Sequence, residues 1–101
     1  MLTSKQRAFL RGMANGIESI IHVGKSGITP EMTEAVDKAL EARELIKANL
    51  LNNCDLDTRE TAQTIAERTH SDVVQVIGKR FVLYRAAKEP VIELPKAKRG
   101  Q

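Results

Sequence analysis

Aromatic side chains are nearly absent, because the 101 residues hold two phenylalanines, one tyrosine and no tryptophan. Proteins that read single strands by stacking gain about 1–3 kcal/mol per base from each aromatic ring, so a platform for several bases is not expected. Cysteine occurs once, as Cys54. That excludes an intramolecular disulfide, and with only Asn53 and Asp55 beside it the thiol has no cation to activate it. No apolar run approaches the roughly 20 residues that span a bilayer; the stretch from Val73 to Ile77 is interrupted by Gln75. The N-terminus leads into a charged helical pattern without an apolar leader, so a cytoplasmic location without membrane contact is expected. Two histidines, His22 and His70, stand far apart with no Cys or carboxylate at ligand spacing, which argues against a metal site. No Ser, His and Asp order or carboxylate pair marks a catalytic centre. Neither enzymatic activity nor a cofactor is expected.

What the chain has is charge, unevenly distributed. The net charge is +3. Residues 1 to 28 carry Lys5, Arg7, Arg11 and Lys25 against Glu18, a balance of +3. Residues 29 to 78 set five basic side chains against ten acidic ones, a balance of −5. Residues 79 to 101 set seven basic side chains against Glu89 and Glu93, a balance of +5. If folding brings the two basic ends together, they form a positive face for a polyanion, of which RNA or DNA is the commonest. A solvated surface with a basic tail accounts for the charge equally well.

The length suits one domain, and the periodicities divide it into seven elements. Residues 4 to 14 form a helical pattern with Leu2, Phe9, Leu10 and Met13 on one face and Arg7 and Arg11 on the other. Ser19 to Val23 is a short β-rich run. Thr29 and Pro30 then supply an N-cap and a first-turn proline for a helix to about Arg43, with Met32, Val36, Ala39 and Leu40 inward. Its carboxylates Glu31, Glu34, Asp37, Glu41 and Glu44 read as a solvated face. Leu45 to Leu50 alternates apolar and polar residues as a strand. Asp57 and Glu60 open a third helix with Thr58, Ala62, Ile65, Ala66 and Thr69 inward. Val73 to Ile77 and Arg80 to Arg85 form a hairpin around Gly78 and Lys79. The order is αβαβαββ, an α/β (α+β) two-layer sandwich over residues 1 to 86. Residues 87 to 101, with Pro90, Pro95 and a basic end, read as a flexible tail.

The most informative local feature is Gly24-Lys25-Ser26-Gly27 between a strand and a helix. Two glycines allow a sharp turn and close approach of a ligand, and the helix start offers free amides and a positive dipole end to an anion. Such GxxG loops clamp nucleotide backbone in KH domains. Gly24-Lys25-Ser26 also ends like a P-loop, but the first glycine of that motif would fall on Ser19 and Ile20 to Val23 reads as strand. Nucleotide binding is therefore not expected.

Several segments in one order are more specific than one loop. LTSKQRAFLRGMA at 2 to 14, IHVGKSGIT at 21 to 29, ELIKANL at 44 to 50, RETAQTIAE at 59 to 67 and VVQVIGKRFVLYR at 73 to 85 resemble the CRM domain, named for chloroplast RNA splicing and ribosome maturation. The resemblance is closest to the stand-alone bacterial YhbY-like members. It implies a mixed four-stranded sheet similar to the C-terminal domain of translation initiation factor three. It also implies RNA as partner, with large-subunit rRNA or pre-ribosomal particles foremost and a general role in binding or annealing other transcripts as the alternative. A monomer is expected. The family's RNA contacts fall on Lys5, Arg7 and Arg11 of the first helix, on Gly24, Lys25, Ser26 and Gly27 of the loop, on Lys47 of the second strand, and on Tyr84 and Arg85 of the last.

Overall fold

Short polar side chains start the helices by accepting amides that would otherwise lack partners. In the computed structural model, which describes residues 2 to 96, α1 spans Ser4–Ala14 behind Thr3. The Thr3 hydroxyl accepts the Gln6 N–H at 3.1 Å and the Gln6 side chain returns to the Thr3 N–H at 3.0 Å. Thr29 caps α2 (Pro30–Arg43) through the Met32 N–H, and Asp57 caps α3 (Thr58–Thr69) through the Glu60 N–H. His70 ends α3 in the left-handed region at φ 56° and Glu44 ends α2 at φ 65°. The tail cations Lys98 and Arg99 lie outside the described residues.

The strands are β1 (Ser19–Val23), β2 (Leu45–Leu50), β3 (Asp72–Ile77) and β4 (Arg80–Tyr84). They form one mixed sheet in the order β1-β2-β4-β3, with β1 parallel to β2 and the other pairs antiparallel. The parallel pair needs a crossover, which α2 provides. Gly78 turns the β3–β4 hairpin at φ 57°.

Alternation along the strands divides the core in two. Ile21, Val23, Ile46, Ala48, Leu50, Phe81 and Leu83 meet Val36 and Leu40 of α2 and Ala62, Ile65 and Ala66 of α3. On the opposite face Leu45, Val74, Val82 and Tyr84 lie under Leu10 and Ala14 of α1. In α3 the buried stripe begins at Thr61 rather than Thr58.

Four expectations are corrected. Phe9 and Met13 are not core residues but remain 40% and 41% exposed. The small Ala14 brings α1 close to the sheet, and polar partners at the rim let Gln6 and Arg7 lean inward beside Leu10: Gln6 donates to the Pro95 carbonyl at 2.9 Å and Arg7 to the Val73 carbonyl. Arg7 is therefore half-buried rather than free in solvent.

Glu44 does not lie on a solvated helix face; it is 1% exposed. Its carboxylate accepts backbone N–H groups from Ala87, Val91 and Ile92 at 2.7–2.8 Å. The chain after β4 is consequently anchored over residues 87 to 95, with Ile92 and Leu94 packed on the α1 side of the core, where a flexible tail was expected. Desolvation pushes the Glu44 carboxyl up, but the three backbone donors outweigh it and hold the group below the ordinary carboxylate value. Burial, followed by the charges of Glu44 and Asp72, pushes the Tyr84 phenol up.

Candidate nucleic-acid interface

β1 is an edge strand, and the chain leaves its end through a tight turn closed by the Gly27 N–H on the Gly24 carbonyl at 3.0 Å. Gly27 follows at φ 68°, where an L side chain is strained, and a Cβ there would meet Leu56 at 3.3 Å. Gly24 needs no such conformation; a Cβ would make ordinary contact with Leu51 at 3.6 Å. The turn leaves Lys25 and Ser26 exposed. It forms one wall of a cleft of about 520 Å³ that continues along β1 past Ile20 and His22 to Thr29, Glu31 and Met32 of α2.

The start of α2 offers an anion less than expected. Thr29 takes the Met32 amide, the Thr33 N–H binds the Thr29 carbonyl, and Pro30 has no N–H. Only the Glu31 amide of the first turn is left, and the Glu31 carboxylate already occupies the positive end of the dipole. Anion affinity at this junction therefore rests on Lys25 and the turn rather than on the helix.

Around the β1 edge, the α1 side of the sheet is bare beyond the end of α1. Two rows of side chains cross it in register. His22, Asn49, Arg80 and Ile77 form the outer row, and Ser19, Lys47 and Gln75 the inner one, whose Val82 is covered by α1. An open cleft of about 400 Å³ lies over them, lined by Ile17, Glu18, Ser19, His22, Lys47, Asn49 and Arg80. His22 borders this cleft and the loop cleft alike. Its Nδ1 lies 2.5 Å from Asn49 Oδ1. Among the described residues, no carboxylate pairs with Lys47 or Arg80.

The expected contacts thus separate. Gly24, Lys25, Ser26 and Gly27 lie at one end of the sheet with Lys79 and Arg80, while Lys47 stands mid-strand between Ser19 and Val82 and meets Arg80 only across the sheet cleft. Lys5 and Arg7 lie at the other end, where Arg7 binds a β3 carbonyl and Lys96 follows the Pro95 carbonyl held by Gln6. Arg11 is half-buried along α1 between them. Tyr84 and Arg85 belong to the fold. Tyr84 is 6% exposed beneath α1. Arg85 donates to Asp37 Oδ1 at 2.6 Å and to the Thr69 carbonyl at 2.8 Å, tying β4 to α2 and α3. Sequence reasoning does not single out His22, Asn49 and Arg80, which line the sheet cleft. The alternation that turns Lys47 away from Ile46 turns Asn49 the same way, and the two-residue hairpin brings Arg80 opposite it.

Among the described residues, no group of three or more His, Cys, Asp or Glu side chains is placed to hold a metal ion. No described helix is long and apolar enough to cross a membrane. Free cations, a backbone turn and neutral polar groups can bind a polyanion through phosphates and present hydrogen bonds to what the phosphates carry.

Comparison with known proteins agrees with that chemistry. A Bacillus subtilis protein named "Probable RNA-binding protein YqeI" is 45% identical over 96 residues, covering 94% of this chain and all of the relative. A Haemophilus influenzae protein named "RNA-binding protein" is 33% identical, covering 94% of this chain and 96% of that one. The solution structure of a hypothetical Staphylococcus aureus protein, described as a candidate RNA-binding protein, superposes with a TM-score of 0.80 at 48% identity, over 94% of this chain and all of the other. Residues 2–85 match the CRS1 / YhbY (CRM) domain, and the chain belongs to that family.

Proposed function

We propose that this protein is a non-enzymatic RNA-binding protein that holds structured RNA through the loop end of its sheet, and that it serves as a cytoplasmic assembly factor on precursors of the large ribosomal subunit. The carrying observation is the convergence of Lys25, Lys47, Lys79 and Arg80 around one exposed turn and one bare sheet corner. Among the described residues no carboxylate pairs with these four cations, and several unpaired cations suit a phosphate backbone better than a small ligand. The relatives named as RNA-binding proteins, matched over nearly their whole length, support RNA over other polyanions. The ribosomal role rests on the family resemblance. Sedimentation of a cell lysate on a sucrose gradient tests it. Co-migration with large-subunit precursors rather than mature ribosomes is expected, whereas recovery only from the top fractions after crosslinking at low salt would favour a general RNA-binding role.

A further inference from the structure

The bare corner of the sheet is polar almost throughout. Of the seven residues lining its cleft only Ile17 is apolar, and none is Phe, Tyr or Trp. The surface on which an unpaired base stacks is therefore scarce here. What the corner offers instead suits a sugar and its phosphates. Lys47 and Arg80 supply charge, and between them Asn49 is joined to the ring of His22 on the edge strand.

His22 Nδ1 and Asn49 Oδ1 lie 2.5 Å apart, so each side chain spends one polar atom on the other. What remains suits a hydroxyl in every arrangement of the protons. With the ring donating, the Asn49 amide N–H groups and a lone pair stay free; with the amide turned to donate, one amide N–H and the Asn49 oxygen stay free. A hydroxyl rotates to give or accept a proton as its partner requires, whereas a base edge has its donors and acceptors fixed. The 2′-hydroxyl is also the group that distinguishes RNA from DNA.

We infer that the cleft formed by His22, Asn49, Lys47 and Arg80 reads the 2′-hydroxyl of one nucleotide, so that this corner of the sheet selects ribose over deoxyribose while the GKSG turn grips phosphate. His22 borders the loop cleft and the sheet cleft alike. A strand held at Lys25 therefore crosses the β1 edge at His22 and sets its next sugar against the His22 and Asn49 pair. Arg80 stands opposite Asn49 in register, and Lys47 precedes Asn49 on the same face, so the two cations flank the sugar where its phosphates fall. Glu18 adjoins Ser19, which is opposite Lys47. Its carboxylate repels phosphate from that side and leaves Arg80 as the main anchor. The reading rests on the RNA-binding proposal and adds two specificity-determining residues, His22 and Asn49, to it.

The test is fluorescence anisotropy of the full chain with one mixed-sequence oligonucleotide made in three forms, with 2′-hydroxyl, 2′-deoxy and 2′-fluoro sugars, at matched salt. The fluoro form keeps the ribose-like pucker but has no proton to donate, so it separates a contact to the hydroxyl from a preference for strand shape. The parent is expected to bind the hydroxyl form at least about fivefold more tightly than either of the others, the factor that one net hydrogen bond supplies. Asn49→Ala and His22→Ala should each bring the three affinities to within about twofold of one another with the salt slope unchanged, because phosphate contacts remain. Arg80→Gln should lower all three by a similar factor and reduce the slope by about 1. Because the two side chains hold one another, collapse of the preference in either variant supports the assignment, and His22→Ala, exposed on the edge strand, serves if Asn49→Ala melts early. Equal affinity of the parent for the hydroxyl and deoxy forms, binding of the fluoro form as tight as that of the hydroxyl form, or a preference that survives both variants would overturn the inference and leave RNA binding standing. No binding of the parent to any of the oligonucleotides or to folded rRNA would overturn both.

Discussion

Lys25 contributes charge to the turn and nothing to the core, which makes it the cleanest single probe of the interface. An exposed loop charge is worth about 0–1 kcal/mol to stability, so Lys25→Glu should melt like the parent. Reversing the charge replaces an attraction to phosphate with a repulsion, and affinity for RNA should fall about tenfold or more at low salt. Unchanged binding by filter assay would remove the turn from the interface. The two glycines separate on backbone grounds. Gly27→Val imposes a branched side chain at φ 68° against Leu56 and should cost roughly 1–3 kcal/mol in denaturant titration. Gly24→Val, with an ordinary contact at Leu51 and no left-handed φ, should be the milder change in stability.

At the scale of elements, caps and turns were legible because they depend on neighbours in sequence: Thr29-Pro30, Asp57 with Glu60, and Gly78-Lys79 each set their element without help from afar. The rotation of α1 was not legible. Leu10 is common to the stripe drawn through Leu2, Phe9 and Met13 and to the stripe through Gln6, Arg7 and Ala14, and only the distant carbonyls of Val73 and Pro95 decide between them. Glu44 was hidden for the same reason, since its three donors lie more than 40 residues away. Its carboxyl sits below the usual carboxylate value in the folded protein, so its stabilisation is complete above the unfolded value and is lost as pH falls through the lower folded one. Docking of residues 87 to 95 should therefore persist at neutral pH and be lost in acid, as the pH falls below the ordinary glutamate range. Glu44→Gln turns one accepting oxygen into a donor opposed to the donors of the tail. It should cost about 1–3 kcal/mol and release the segment at neutral pH, seen as faster proteolysis after Ala86. Equal cleavage rates in variant and parent would show that the carboxylate does not hold the segment.

For the whole molecule, the decisive quantity is where the charges sit rather than their sum. Among the described residues, the basic ends of the chain do not merge into one face. Lys79 and Arg80 join Lys25 at the loop end with Lys47 farther along the sheet, while Lys5 and Lys96 lie with α1 at the other. Lys25, Lys47, Lys79 and Arg80 correspond to about four neutralised phosphates, so log affinity should fall with log salt at a slope of roughly −3 on single-stranded RNA. The kind of RNA follows from the aromatics. Phe81 and Tyr84 are buried in opposite core clusters, which leaves Phe9 on α1 as the one exposed ring and limits stacking to a single base. Affinity must then come from phosphates held by cations fixed to strands and a tight turn, an arrangement suited to a backbone that is already ordered. An unstructured strand must be ordered on binding, a cost that a folded RNA has met beforehand. A folded fragment of large-subunit rRNA is therefore expected to outcompete poly(C) of equal length at matched salt. If poly(C) displaces the folded fragment equally well in an anisotropy competition, the preference for structure is wrong, and the domain binds RNA as a flexible polyanion.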